Sequence, residues 1–216
     1  MCYKEKNIMP LKEKLPNQLF NLAFVTIEEV LGKNGLNSVL NYAKIPQYID
    51  NYPPNTLDLE HPCSDFTRFT TGLIQVLGEK GARSVMMLSG IRSFEIMLRD
   101  MPGLFALDSI EVKNGPTDKL FDEYVRIQNT MSEAATFIFG EGLYKIYNTD
   151  DGWALEISPC YWCMGLKTEA PICHGEIGFE LGLARWIFGK DIKIEETHCM
   201  AKGDPMCRFV SYRPKE

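Results

Sequence analysis

The stretch Leu143-Tyr-Lys-Ile-Tyr-Asn-Thr-Asp-Asp-Gly-Trp-Ala-Leu-Glu-Ile157 carries the clearest pattern in the chain. Apolar and polar residues alternate on either side of Thr149-Asp-Asp-Gly152, the pattern of two strands joined by a four-residue hairpin loop. Pairing Asn148 with Trp153 sets Lys145 opposite Glu156 on one face. The same register sets Tyr144 and Ile146 opposite Ile157 and Leu155 on the other, so both faces agree with it. Two further strands are predicted downstream, at about residues 191–198 and 206–212, joined by Lys202-Gly-Asp-Pro205. Between the two strand pairs, residues 174–188 form a helix that is apolar almost all round. Its Gly175, Gly178 and Gly182 share a face that another backbone can approach closely, and Gly189 is placed as the C-cap.

Upstream the period changes to that of helices. Leu120, Tyr124, Ile127, Met131, Ala134 and Ile138 give a helix over about residues 117–139 with one apolar face, following a turn at Asn114-Gly115-Pro116 and closed by Gly140. Phe66, Phe69, Thr70, Leu73, Ile74 and Leu77 mark another helix ending at Gly78 to Gly81. A segment rich in Met and Leu follows at about 83–100; such side chains suit either a core or an adaptable pocket wall. Leu19 to Leu31 and Leu36 to Ala43 are two shorter stripes, the first ended by Gly32, the second stopping before Pro46. Residues 1–60 are therefore expected to be a helical arm or cap, and 61–216 the main body. Helices first, then hairpin, helix and hairpin, make an α+β protein with a mainly antiparallel sheet flanked by helices.

The chain has 216 residues with 45% hydrophobic and 24% charged, enough for a real core. A net charge of −6 removes the broad basic surface that sequence-independent nucleic-acid binding requires. No apolar stretch approaches the ~18 residues of a membrane span, and the N-terminal Met-Cys-Tyr-Lys-Glu-Lys does not open an export signal. The expected location is the cytoplasm.

Seven cysteines are too many for a reducing compartment without a purpose, and five of them fall in the last 57 residues. Cys199 and Cys207 lie four residues to either side of the Gly203 turn, so a hairpin sets them face to face. Ile192, Ile194 and Glu196 share a strand face, which puts a carboxylate on an apolar surface, where it must pair, neutralise or bind a cation. Two thiolates and a carboxylate suit zinc, which needs a fourth donor in a closed site. Cys173 is the candidate, in competition with Cys160, Cys163, His174 and His198. Cys160-Tyr-Trp-Cys163 is a C-x-x-C pair that can bind metal, exchange electrons or simply pack. His61 stands alone, and no histidine set for base catalysis is visible. Tyr124 and Trp162 are candidate wall residues of an apolar pocket.

Cys160-x-x-Cys163, Pro171-Ile-Cys173-His174, Glu196-Thr-His-Cys199 and Gly203-Asp204-Pro205-x-Cys207-x-Phe209 together resemble the 4-vinyl reductase, or hydrocarbon-binding, domain family, densely over residues 153–212. The resemblance implies the α+β ligand-binding fold shared by NO-signalling domains, phenol- and xylene-sensing domains and the transport-particle subunits of vesicle traffic. It implies one zinc held by Cys173, Glu196, Cys199 and Cys207, and an aromatic ligand beside it with Trp153 near the wall. It also implies a stand-alone member, since no phosphate-binding loop is present. Reduction of a vinyl group finds no support: no dinucleotide or flavin signature supplies electrons. The expected function is a zinc-containing binder of a hydrophobic or aromatic molecule, a sensor or carrier and not an enzyme. The alternative is an accessory protein or reductase of tetrapyrrole metabolism that uses Cys160 and Cys163 or an iron–sulfur cluster. The transport-particle likeness adds a homodimer formed through the helices.

Overall fold

The computed structural model describes residues 14–100, 103, 116–139 and 143–214. The turn expected at Asn114-Gly115 and the stop at Gly140 lie outside the described residues. A short strand β1 (Lys14–Pro16) leads directly into helix α1 (Asn17–Tyr42) and pairs antiparallel with β2 (Leu59–Pro62), which leads into helix α2 (Cys63–Asp100). Helix α3 (Thr117–Phe139) follows. Then come strands β3 (Tyr144–Thr149) and β4 (Gly152–Ile157), helix α4 (His174–Phe188), and strands β5 (Ile194–His198) and β6 (Cys207–Tyr212). The four late strands form one antiparallel sheet in the order β3-β4-β6-β5.

The hairpin register is the one that the side-chain pattern demands, with Asn148 opposite Trp153 and Lys145 opposite Glu156. Pairing runs one step further than expected, to Thr149 with Gly152, so the turn closes on Asp150 and Asp151 alone. Gly152 permits this because a Cβ there would stand 2.1 Å from the Ser211 carbonyl oxygen on β6. Strand β5 starts at Ile194 and not at Asp191, and its register slips between Glu196 and His198. That slip interrupts strict alternation immediately before Cys199.

The expected helix boundaries at glycine appear as breaks within longer helical runs. Gly32 in α1 and Gly78 in α2 both have φ 70°, ψ 165°, a backbone state that other residues adopt at a cost. Gly189 takes the left-handed conformation at φ 65°, and its N–H caps the Arg185 carbonyl at 2.9 Å, which ends α4.

Helices α2 and α4 cross at very short range. A Cβ on Gly178 would meet the Met87 carbonyl oxygen at 2.1 Å, and one on Gly90 would meet the Gly175 carbonyl oxygen at the same distance. Gly182 faces Phe94, while Gly175 instead receives the ring of Trp162. The glycine face of α4 thus holds one helix and one indole. Phe20, Phe24, Phe66 and Phe69, all fully buried, stack edge to face and join α1 to α2. Each such side chain contributes roughly 1.5–3 kcal/mol of burial. Residues 14–60 and the C-terminal sheet share this one core. No helix among the described residues is long and apolar enough to cross a membrane.

Candidate metal centre and the cavity beside it

Four separate pieces of chain deliver cysteines to one place. Cys160 and Cys163 lie in a tight turn after β4, closed by the Met164 N–H on the Cys160 carbonyl at 2.9 Å. Cys173 is the N-cap residue of α4, where the helix dipole favours a thiolate. Cys199 precedes a single helical turn at Met200–Lys202, and Cys207 opens β6. All five are fully buried. Cys199 and Cys207 meet across the mouth of the hairpin, as its turn requires, with the Cys199 N–H held by Asp204 at 2.8 Å and the Met200 N–H on the Cys207 sulfur at 3.3 Å.

The sulfur atoms lie at ion-binding range. Cys160 to Cys173 and Cys173 to Cys207 are both 3.7 Å apart, and Cys163 to Cys207 is 3.3 Å. Four thiolates at ~2.3 Å from one tetrahedral ion stand about 3.8 Å from each other. Two donor sets satisfy mutual spacing within 4.8 Å: Cys160, Cys163, Cys173 and Cys207, and Cys173, Glu196, Cys199 and Cys207. The second is the set that the family resemblance implies; the first brings in the C-x-x-C pair. His174 and His198 join neither set among the described residues.

Thiols this close share protons. Burial pushes Cys160 up to about 11, while hydrogen bonds from its neighbours, that of Cys160 first, hold Cys163 well below the ordinary thiol range. Glu196 Oε2 accepts the Cys173 N–H at 2.9 Å, but its Oε1 is buried without a partner. Burial, with Cys199 adding to it, pushes this carboxyl up to about 9. A buried carboxylate oxygen with no donor, aimed among thiols, fits a cation ligand. On the outer side, Glu196 and His174 border an open groove of about 590 Å³ that also includes Arg83. Burial holds His174 down to about 4.

The inner side of the same turn bounds a second feature. A cavity of about 150 Å³ lies between α1, α3, α4 and the sheet. Gln128, Met131, Ser132, Ala135, Ile138 and Phe139, on one face of α3, form one wall, which places the pocket against the helix expected to line it. Leu19, Leu22 and Ala23 of α1 close another side, and Met97 contributes from the Met-rich segment. Trp162 lines the cavity, its ring edge-on to Phe66 at 5.1 Å. Tyr124 and Trp153 are fully buried behind it, their rings 5.6 Å apart, and Tyr124 reaches the cavity through a hydrogen bond to Glu180 at 2.6 Å.

Two carboxyl groups point into this otherwise apolar space. Glu176 accepts the Tyr161 hydroxyl at 3.2 Å and the Trp162 Nε1–H at 3.3 Å. Glu180 accepts Tyr124 and the Gln128 amide. Burial, then the charge of Glu176, pushes Glu180 up to about 8; burial also raises Glu176. No Lys, Arg or His is found among the described lining residues. The apolar reading of α4 misses this pair, although Glu176 and Glu180 at i, i+4 are visible in the sequence as two acids on one face of a helix.

The 4-vinyl reductase domain family matches residues 153–212. An uncharacterized protein of Methanocaldococcus jannaschii is 36% identical over 55 residues, a match that covers 26% of this chain and 30% of that relative. In fold, the chain is similar to the unliganded Fe(II) H-NOX protein of K. algicida, with TM-score 0.60, 11% identity, and coverage of 94% of this chain and 98% of the other. It is likewise similar to an S. oneidensis H-NOX protein in the Fe(II)NO state, with TM-score 0.57, 14% identity, and coverage of 90% and 99%. The phenol-responsive sensory domain of the activator PoxR aligns more loosely, at TM-score 0.47 and 19% identity over 70% of this chain and 74% of that one. The cysteine-rich segment from β4 to the end of β6 is therefore the part of this chain that matches the 4-vinyl reductase domain family.

Proposed function

We propose that this protein is a zinc-dependent binding domain for a small ring compound, acting as a sensor or carrier. One observation carries the reading: in Cys160-Tyr161-Trp162-Cys163 the two cysteines face the metal centre, while Tyr161 and Trp162 line the cavity and bond to Glu176. A metal that fixes this turn fixes the pocket wall. A ligand that moves the wall strains the metal centre, which is the coupling a sensor needs.

The cavity chemistry narrows the ligand. A volume of about 150 Å³ suits one benzene-sized ring. Two buried carboxyls and no cationic side chain among the described lining residues favour a ligand that donates hydrogen bonds or carries positive charge, and disfavour an anion. A phenol or an aromatic amine satisfies these conditions; a tetrapyrrole with acidic side chains does not. The sulfur spacing favours single ions over a multi-iron cluster, whose thiolates attach to different iron atoms and stand further apart.

Tryptophan fluorescence of the purified full-length protein, titrated with phenol, aniline and benzoate, tests the reading. Phenol or aniline should shift the emission of Trp162 saturably, and benzoate should not. Tighter binding of benzoate, or no saturable binding of any single-ring compound, would overturn it.

A further inference from the structure

We infer that the cysteine cluster holds two divalent metal ions, not one, bridged by the sulfurs of Cys173 and Cys207. The inference rests on the metal-centre reading above and goes beyond its single zinc. The two four-donor sets share those two sulfurs and differ in the rest: Cys160 and Cys163 complete one, Glu196 and Cys199 the other. Each remainder requires a cation of its own. Cys160 and Cys163 are fully buried, with sulfur contacts at 3.7 and 3.3 Å to the shared pair. Glu196 presents a buried Oε1 with no hydrogen-bond donor. A single ion that takes either set leaves the other two donors buried with nothing to neutralise them, a costly arrangement in a dry site.

Two ions resolve both at once. Five thiolates and one carboxylate then face two divalent cations, each four-coordinate and each with two donors of its own. The shared sulfurs are 3.7 Å apart; with metal–sulfur bonds of ~2.3 Å, two ions on opposite sides of that edge sit about 3 Å from each other. Zinc suits both positions, since thiolate-rich tetrahedral sites with one carboxylate lie within its usual ligand set. The arrangement also gives the C-x-x-C pair a purpose that a Cys173, Glu196, Cys199, Cys207 site alone does not.

Native mass spectrometry of the purified full chain, with metal analysis per chain, counts the ions. Two zinc ions per chain are expected. Chain produced in cobalt medium should carry two cobalt ions whose electron paramagnetic resonance signal is much weaker than its cobalt content, because bridging thiolates couple the spins. Cys160→Ser with Cys163→Ser should retain one ion, and so should Glu196→Gln with Cys199→Ser. One ion per native chain, with a full-strength cobalt signal, would overturn the bridged pair while leaving the metal centre intact. A chain that binds no metal would overturn both.

Discussion

Replacing Glu180 by Gln should remove most of the loss of stability between pH 6 and pH 8. Glu180 is fully buried on α4; Tyr124 and Gln128 of α3 donate to it, Ser211 of β6 bonds to Tyr124 behind it, and Glu176 lies one turn earlier on the same helix. Burial first, then Glu176, pushes its carboxyl from 4.5 to about 8. The folded value is raised above the unfolded one, so the folded state binds the extra proton. The associated stability is fully present below about pH 4.5 and is lost as pH rises through about 8. Between pH 6 and pH 8 the linkage amounts to about 2 kcal/mol, roughly a thirtyfold change in the folding equilibrium. Gln keeps the shape of the protonated acid: its carbonyl accepts from Tyr124 and Gln128, and it does not titrate. Urea unfolding of both chains at pH 6, 7 and 8 measures the difference directly. Other groups titrate in both chains and cancel in the comparison. Equal pH slopes in the two proteins would place Glu180 in a wetter site than its hydrogen bonds indicate and overturn the expected linkage.

Chelation should lower the melting temperature and expose Cys160, Cys163, Cys173, Cys199 and Cys207 to a thiol reagent while Cys63, buried in the helical half, reacts later; equal labelling with and without chelator would contradict a metal centre. Gly178→Ala should destabilise by about 3 kcal/mol in thermal or urea unfolding, because its Cβ would stand 2.1 Å from a backbone oxygen that can retreat only if α2 and α4 separate. Trp162→Phe leaves Glu176 with Tyr161 as its remaining donor and should weaken binding of phenol by about 1–2 kcal/mol in calorimetry with the metal content unchanged; loss of metal would show that the turn is not set by its cysteines.

The placement of the five late cysteines separates what is legible in the chain from what is not. Cys199 and Cys207 can be paired from the turn between them, because hairpin geometry is local. Cys160 and Cys163 cannot be joined to them by spacing: the turn after β4, the N-terminus of α4 and the hairpin mouth converge only when α4 packs across the sheet. Glu196 is legible as an anomaly, a carboxylate on an apolar strand face, but its free oxygen depends on which backbone N–H approaches the other one. Tyr124 shows the converse. Its period places it correctly on the buried face of α3, yet whether a buried tyrosine bounds the cavity or stands behind it depends on Glu180 on a different helix.

The elements and their order, the hairpin register, the glycine face of α4 and the surplus of late cysteines can all be read along the chain, since each follows from periodicity, turn chemistry or composition over a few neighbouring residues. It takes the packed molecule to show that one four-residue turn faces the thiol cluster with its cysteines and the cavity with its aromatic pair, and that Glu176 and Glu180 close that cavity. Contacts between residues distant in the chain are set by how helices cross and how closely their backbones approach, here by Gly90 and Gly178 at the contact of α2 with α4, and local pattern carries no record of that distance.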